Sequence, residues 1–179
     1  MIDEGSAARH GAIDPSDAEF VEKLAAFLTK RGVLDELAMH RAQRAQRQSG
    51  ERFDLVLTRL GLVSEADLAG LLADFLGLPL VDASQLPEVP LLADRLQLQF
   101  LMSNRIIPIA ERGDTLVLAV ADPFKPDPVA AVGYLLGRPV EHCIMPAGEI
   151  ERALERLYGR RAAIAVDAGP ATTEACQRG

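Results

Sequence analysis

Residues 52–82, RFDLVLTRLGLVSEADLAGLLADFLGLPLVD, predict a helix, a glycine turn, a second helix and the start of a strand. Apolar residues before Gly61 recur at three- and four-residue steps, which is the spacing of one helix face, and Gly61 supplies the left-handed residue that ends the helix. Ser64 is the predicted N-cap of the second helix, and Gly77 ends it. The run LPLVD at 78–82 contains a proline, cannot continue the helix and predicts a strand.

A weaker copy of this unit lies 29 residues upstream, where residues 23–46 align with residues 52–75. The matched period indicates an internal repeat, although two unrelated helical hairpins with similar packing needs would give the same pattern. The aligned pairs are Lys23 with Arg52, Leu24 with Phe53, Leu28 with Leu57, Gly32 with Gly61, Leu34 with Val63 and Met39 with Leu68.

The composition describes a globular protein with an aliphatic core. The 179 residues are 49% hydrophobic but only 4% aromatic, without tryptophan, which gives room for one ordinary domain or two small ones. The net charge of −7 disfavours non-specific nucleic-acid binding, which needs clustered Lys and Arg. No apolar run reaches the roughly 18 residues of a membrane span, and residues 1–11 lack a signal-peptide pattern. We therefore expect a cytoplasmic protein, with its two cysteines outside any disulfide framework.

Turn and capping signals predict an α+β fold, with an N-terminal helical subdomain followed by a small mixed β-sheet packed with helices. Ser16 is the predicted N-cap of the first helix and Asp35 that of the second. Pro108 predicts that the first strand lies at an edge or carries a bulge. The predicted organisation is a flexible N-terminus at 1–15, a helical subdomain with two helix-turn-helix repeats at 16–77, an α+β subdomain at 78–159 and a disordered tail or linker at 160–179. The predicted elements of the α+β subdomain are short helices at 91–96 and 98–104, a hairpin of strands 106–110 and 115–121 around the turn 111–114, a helix at 129–136, a strand at 140–145 and a last helix at 149–158.

One helix carries an unusual concentration of positive charge. Arg41, Arg44 and Arg47 share it, and residues 30–59 contain seven Lys or Arg against four acids. This local excess predicts a surface for an anion or an acidic partner, and a solvated Arg-rich face is the alternative. A DNA-binding helix-turn-helix using residues 36–48 is a further hypothesis, which the acidic surroundings disfavour.

Motifs of catalysis are absent from the sequence. It contains no GxxxxGK[ST] phosphate loop, no GxGxxG after a strand, no HExxH, no GxSxG and no zinc-type Cys/His cluster. Asp122 and Asp127 flank prolines, which is typical of capping and turn formation. Binding of a ligand or partner is the remaining class of function. Lys23 and Arg52 each open a repeated unit, where a cation near helix amides can hold an anionic ligand or pair with local acids.

In its two repeated units and the segments that follow them, the sequence resembles the N-terminal domain of the type II secretion ATPases, the GspE and PilB-like traffic ATPases. The family's repeat reads RLGxxLxxxGLIxxxxLxxALxxQ, commonly continued as LGLPLVD, and the second copy here ends with the same LGLPLVD at 76–82. The strings IIPIAERGDTLVLAVADP at 106–123 and EIERALERLYG at 149–159 are similar to later parts of that domain. The resemblance covers about residues 20–159.

The resemblance implies a non-catalytic adaptor that docks the ATPase motor onto the cytoplasmic part of an inner-membrane platform protein, peripheral to that membrane. The motor domain with its Walker motifs would follow, so the chain is either an excised N-terminal piece or a domain encoded alone. No cofactor or metal is implied.

In some members a related paired repeat binds cyclic di-GMP, which is the alternative function. The candidate ligand residues implied by the resemblance are Lys23, Gln46, Arg52 and Gly61. The family pattern has Gly where this chain has Asp54, and Gln where it has Phe75. Asp54 places a carboxylate where a phosphate of the ligand would approach, and Phe75 removes a side-chain amide. Both changes weaken the interpretation as a cyclic di-GMP site.

Overall fold

A computed structural model describes residues 14–159 and shows an α+β fold, as predicted. Among these residues, no helix has both the length and the apolar character to cross a bilayer. The tail predicted for 160–179, and all but two residues of the N-terminus predicted for 1–15, lie outside the described residues. The elements are α1 (Ala18–Lys30), α2 (Glu36–Ser49), α3 (Phe53–Arg59), α4 (Glu65–Leu76), α5 (Leu98–Asn104), β1 (Ile106–Arg112), β2 (Thr115–Val120), α6 (Pro126–Leu136), β3 (Val140–Ile144) and α7 (Ala147–Leu154), with a short 3-10 turn at Ala83–Gln85 and a wide helical turn at Glu155–Gly159.

The two helical pairs, α1–α2 and α3–α4, turn with the same geometry. Gly32 and Gly61 have φ angles of 67° and 66°, which favour glycine, and each follows the end of a helix. One residue after each glycine, the backbone N–H donates to the carbonyl five residues earlier, with Val33 bonding Leu28 and Leu62 bonding Leu57, both at 3.0 Å. The 29-residue period of the sequence is therefore repeated in the backbone hydrogen bonds.

The helix starts follow the capping signals with one correction. Asp35 accepts from the Ala38 N–H at 2.7 Å, and Ser64 accepts from the Asp67 N–H at 3.1 Å, as predicted. The prediction that Ser16 caps α1 is wrong, because the N-cap is Asp17, whose carboxylate accepts from the Glu19 N–H. The Ser16 N–H instead donates to the carboxylate of Asp14, and the helix starts one residue later than predicted.

The sheet has the order β1-β2-β3, with β1 and β2 antiparallel and β2 and β3 parallel through the crossover helix α6. Pro108 lies on the edge strand, and the register shifts between Pro108 and Ala110, so it is both at an edge and beside a bulge. The hairpin turn is shorter than predicted. Residues 111 and 112 continue β1 and pair with β2, which leaves Gly113 and Asp114 as the turn.

Two predicted elements are reduced. Residues 91–96 form turns rather than a helix, because Leu92 has a φ of 55°, outside the helical region. The LPLVD run makes only a single parallel bridge, Leu80 to Ile144, with the Val81 N–H donating to the Ile144 carbonyl at 2.9 Å. The last helix, α7, begins at Ala147, directly after Pro146, and so starts two residues earlier than predicted.

The buried residues form two hydrophobic clusters that meet at β3. One joins the sheet with α5, α6 and α7, and the other joins the four N-terminal helices. Ile144 is fully buried and packs in the helical cluster although it belongs to the sheet. Phe124, in the loop after β2, also packs against the helical cluster. The end of β3 and this loop therefore join the two halves.

We expect part of the alkaline unfolding to depend on Tyr158. Its hydroxyl donates to the Leu91 carbonyl at 2.6 Å, and burial raises the pKa of Tyr158 to about 12 from an ordinary value of 10.0. The folded state then holds this proton more tightly than the unfolded state, so the contribution to stability is full below pH 10 and is lost as the pH rises from 10 to 12. Thermal melts of wild type and Tyr158→Phe at pH 8 and pH 11 test this. The variant should lose less stability over that interval, and equal losses would contradict the assignment.

Candidate functional site

The arginine that opens the second repeat lies between α3 and the loop after β2, where two carboxylates hold it. Arg52 Nη2 lies 2.6 Å from Asp54 Oδ2, and its Nε lies 3.2 Å from Asp54 Oδ1. Its Nη1 and Nη2 lie 2.7 and 3.0 Å from the two carboxylate oxygens of Asp122. The guanidinium thus makes two-point contacts with an acid of its own helix and with an acid 70 positions away.

These contacts are shielded from solvent. Asp54 is 2% exposed, while the side chains of Arg52 and Asp122 are 17% and 23% exposed. Burial by itself would lower the pKa of the Arg52 guanidinium, but hydrogen bonds with Asp54 and Asp122 raise it above its ordinary value. The group is therefore a permanent cation whose charge is already matched by carboxylates of the chain.

An aromatic ring completes this arrangement. The Arg52 guanidinium carbon lies 4.9 Å from the centre of the Phe124 ring, within the range of a cation–π contact. Phe124 also meets Phe20 of α1 edge to face at 5.1 Å. We name Arg52, Asp54, Asp122 and Phe124 the Arg52 clamp. It connects α1 and α3 to the loop that follows β2.

Sequence reasoning found only part of the clamp. Asp122 was predicted to form a turn, and its Oδ1 does accept the Phe124 N–H at 3.1 Å. The ion pair with Arg52 was missed because the sequence gives no pairing across 70 positions. The available signal was an acid directly after a buried strand, where a side chain can reach a neighbouring layer.

A groove of about 930 Å³ lies beside the clamp, between α3 and α4 on one side and α5 and α7 on the other. Its arginines already have partners: besides Arg52, Arg59 pairs with Glu51 at 2.8 Å and Arg105 with Glu151 at 2.9 Å. Lys125 also lines the groove, exposed and 4.0 Å from Asp122, so each of the groove's cations lies near a carboxylate that competes with a phosphate. Among the described residues, no group of three or more His, Cys, Asp or Glu side chains could hold a metal ion.

The remaining candidate ligand residues are not gathered around Arg52. Lys23 is exposed and pairs with Glu19 at 2.6 Å on its own helix, and the hydrogen bond between them raises the pKa of Lys23. Gln46 lines a separate groove of about 660 Å³ between α1 and α2. Gly61 forms the turn before α4 and faces open space. The structure therefore does not collect these residues into one pocket.

The basic face of α2 is exposed. Arg41, Arg44 and Arg47 all lie on the surface, and within residues 14–159 none of them forms an ion pair with a carboxylate. Arg47 makes a local hydrogen bond from Nε to the Gln43 carbonyl at 3.3 Å. As far as the described part of the chain is concerned, these three cations are therefore open to a partner.

Comparison with known proteins places this arrangement in a family. The MshEN domain model matches residues 76–164. Type II secretion system protein E of Xanthomonas campestris pv. campestris is 39% identical over 137 residues, which are 74% of this chain and 24% of that protein. A structure of the N-terminal domain of XpsE superposes with a TM-score of 0.63 at 36% identity, covering 77% of this chain and 95% of that domain. A structure of MshE with cdg, cyclic di-GMP, gives a TM-score of 0.61 at 29% identity, covering 75% of this chain and 98% of that one.

The chain therefore belongs to the family of the N-terminal domains of type II secretion and type IV pilus ATPases. It spans about a quarter of the length of the curated relative that it matches. The domain model matches the sheet half and begins at the last residue of α4. The family assignment of the four N-terminal helices therefore depends on the other comparisons.

Proposed function

We propose that this chain is a non-catalytic adaptor that docks a secretion ATPase motor onto the cytoplasmic part of an inner-membrane platform protein. The observation that carries the proposal is the row of three exposed arginines on α2, without carboxylate partners among the described residues, in a chain of net charge −7. Opposite charge on a partner would steer association and fix its orientation. The motor domain would follow this domain in the full-length protein, which would work in the cytoplasm, held at the membrane through its partner.

The buried charges support docking rather than chemistry. Arg52, the most enclosed cation of the site, is neutralised by Asp54 and Asp122, and the groove beside it is lined by paired arginines. A catalytic group needs access to a substrate and a proton or electron pair to move, and the clamp provides neither. Its contacts hold elements together instead.

Titration of the purified chain with the cytosolic part of the platform protein tests the adaptor proposal. We expect saturable binding in calorimetry with a Kd on the order of micromolar, as for a transient interface. We also expect no ATP hydrolysis above a mock preparation. Hydrolysis by the chain, or no heat at saturating partner, would contradict the proposal.

Binding of cyclic di-GMP is the second candidate, and the likeness to MshE with cdg favours it. We expect calorimetric titration with cyclic di-GMP to give no heat, because Arg52 is held by two carboxylates and Lys23 lies elsewhere on an exposed helix. The comparison variant is Arg52→Ala, with circular dichroism used to establish that it is folded at the titration temperature, because the substitution also removes the contacts of Arg52 with Asp54 and Asp122. Micromolar binding to wild type that is lost in Arg52→Ala would reverse the order of the two candidates and make regulation the leading function.

A further inference from the structure

Each of the two repeated helical pairs forms a groove at equivalent positions, and the two grooves differ in what lies opposite them. The groove between α1 and α2 and the groove beside the Arg52 clamp share five lining positions at the repeat offset. These pairs are Ala25 with Asp54, Ala26 with Leu55, Thr29 with Thr58, Met39 with Leu68 and Gln43 with Leu72. The same surface of each helical pair therefore forms a groove.

In the second unit, the chain itself faces the groove. The last turn of α5, the first turns of α7 and the loop after β2 line its other side, and this loop supplies the Asp122 carboxylate to Arg52. In the first unit, the groove is lined by α1, α2 and Ser16, with no residue of the sheet half among the described lining residues. Within residues 14–159, the first groove is therefore the copy that no other part of the chain faces.

The charge around the first groove indicates what would fill it. Arg47 lines it on the α2 side, and Arg44 and Arg41 follow on the exposed surface of the same helix. Glu22 is the carboxylate of the α1 side. The apolar floor consists of half-buried Val21 together with Met39, which is 8% exposed.

We propose that the α1–α2 groove binds an acidic amphipathic helix of the platform protein's cytosolic part. This inference rests on the proposed adaptor function and names the surface that performs it. The apolar side of the helix packs on Val21 and Met39, while its carboxylates lie on the α2 side, against Arg47 and Arg44 and away from Glu22. Gln43 and Gln46 line the groove between these contacts and can hydrogen-bond the partner.

Two variants with matched controls locate the surface in titrations with the platform protein's cytosolic part. The triple variant Arg41→Gln, Arg44→Gln, Arg47→Gln removes the exposed charge of α2. Its control, Arg95→Gln, Arg112→Gln, Arg156→Gln, removes an equal charge from the sheet half and from the helical turn at Glu155–Gly159. Ala26→Trp fills the groove from an exposed position, and Ala66→Trp adds the same ring at an exposed position of α4. We expect the first member of each pair to weaken binding by about tenfold and the controls to stay within about twofold, as for central and peripheral interface positions.

The outcomes separate this inference from the adaptor proposal. If the platform protein binds wild type, the triple α2 variant and Ala26→Trp equally, the groove is not its site while the adaptor proposal stands. If wild type fails to bind, the adaptor proposal falls and takes the inference with it. A wild-type Kd that weakens with added salt, more steeply than that of the α2 variant, supports the charge contact.

A peptide probe tests the chemistry of the occupant. A helical peptide with glutamates on its polar face should bind wild type more tightly than the same peptide with lysines, and Ala26→Trp should abolish the difference. Equal binding of the two peptides would overturn the choice of an acidic helix. Sedimentation of the chain alone tests whether a second copy of the chain occupies the groove instead. Self-association of the wild type that Ala26→Trp abolishes would place a second copy there and overturn the proposal.

Discussion

Replacing Arg52 by alanine is expected to destabilise the protein by about 3 kcal/mol, because it leaves a buried carboxylate without its partner. Asp54 is 2% exposed, and its two carboxylate oxygens each accept a hydrogen bond from Arg52. The same substitution removes the two bonds to Asp122 and the contact with the Phe124 ring. The loss therefore combines an uncompensated buried charge with the release of the loop after β2 from α3.

Denaturant unfolding measures this effect, and a double-mutant cycle isolates the connection between the halves. Arg52→Ala, Asp122→Asn and the double variant should give a coupling energy of at least about 1 kcal/mol, because the two side chains share two hydrogen bonds. Arg59→Ala is the matched control, since its ion pair with Glu51 is half exposed and is expected to contribute less than about 1 kcal/mol. A cost for Arg52→Ala that is no larger than that of Arg59→Ala would show that the clamp does not stabilise the fold.

Replacing Ile144 by alanine is expected to cost about 3 kcal/mol, the usual range for emptying a fully buried aliphatic site. Its position makes the consequence unusual. Ile144 ends β3 but packs among the side chains of the helical cluster, and its backbone carries the bridge to residues 79–81. The cavity would therefore open between the two halves of the molecule, and we expect them to unfold less cooperatively.

Two spectroscopic probes weight the halves differently, because four of the seven helices within residues 14–159, including the longest two, lie in the helical half. Both tyrosines lie in the sheet half and the protein has no tryptophan, so tyrosine fluorescence reports on that half, mainly through Tyr158, which is buried while Tyr134 is exposed. Far-ultraviolet circular dichroism weights the helices. Coincident transitions are expected for wild type and separated ones for Ile144→Ala. Val140→Ala, at a half-buried position of the same strand, should lower the midpoint less and keep the transitions together; a separation there as large as in Ile144→Ala would contradict the special role of Ile144.

The local elements followed from the sequence where short-range chemistry determines them. Ser64 and Asp35 marked helix starts because each side chain accepts from the amide three residues ahead, and Pro108 marked the irregular edge strand because it lacks an N–H. Errors arose where two local options compete, as between Ser16 and Asp17 at the start of α1. Residues 91–96 form turns where a helix was predicted. Their apolar side chains pack onto the core of the sheet half although Leu92 has a φ angle outside the helical region.

The candidate site was less predictable than the fold. Arg52 was identified from the repeat, and Asp54 was recognised as an obstacle to a phosphate. The sequence could not show that Asp122 and Phe124 enclose the same guanidinium, because nothing local relates a loop after β2 to the start of α3. Nor could it show that Gln46 lines one groove and Arg52 another.

The sequence by itself determined the α+β class, the capped helices, the hairpin and the local excess of positive charge on α2, because each depends on residues within a few positions of one another. Only the tertiary structure showed which arginines of the helical half are enclosed and which are exposed. Arg52 is enclosed because packing of the sheet half brings Asp122 to it, while Arg41, Arg44 and Arg47 lie on the exposed face of α2 and pair with no carboxylate within residues 14–159. Long-range packing, which the order of residues does not state, thus separates a structural arginine from those open to a partner.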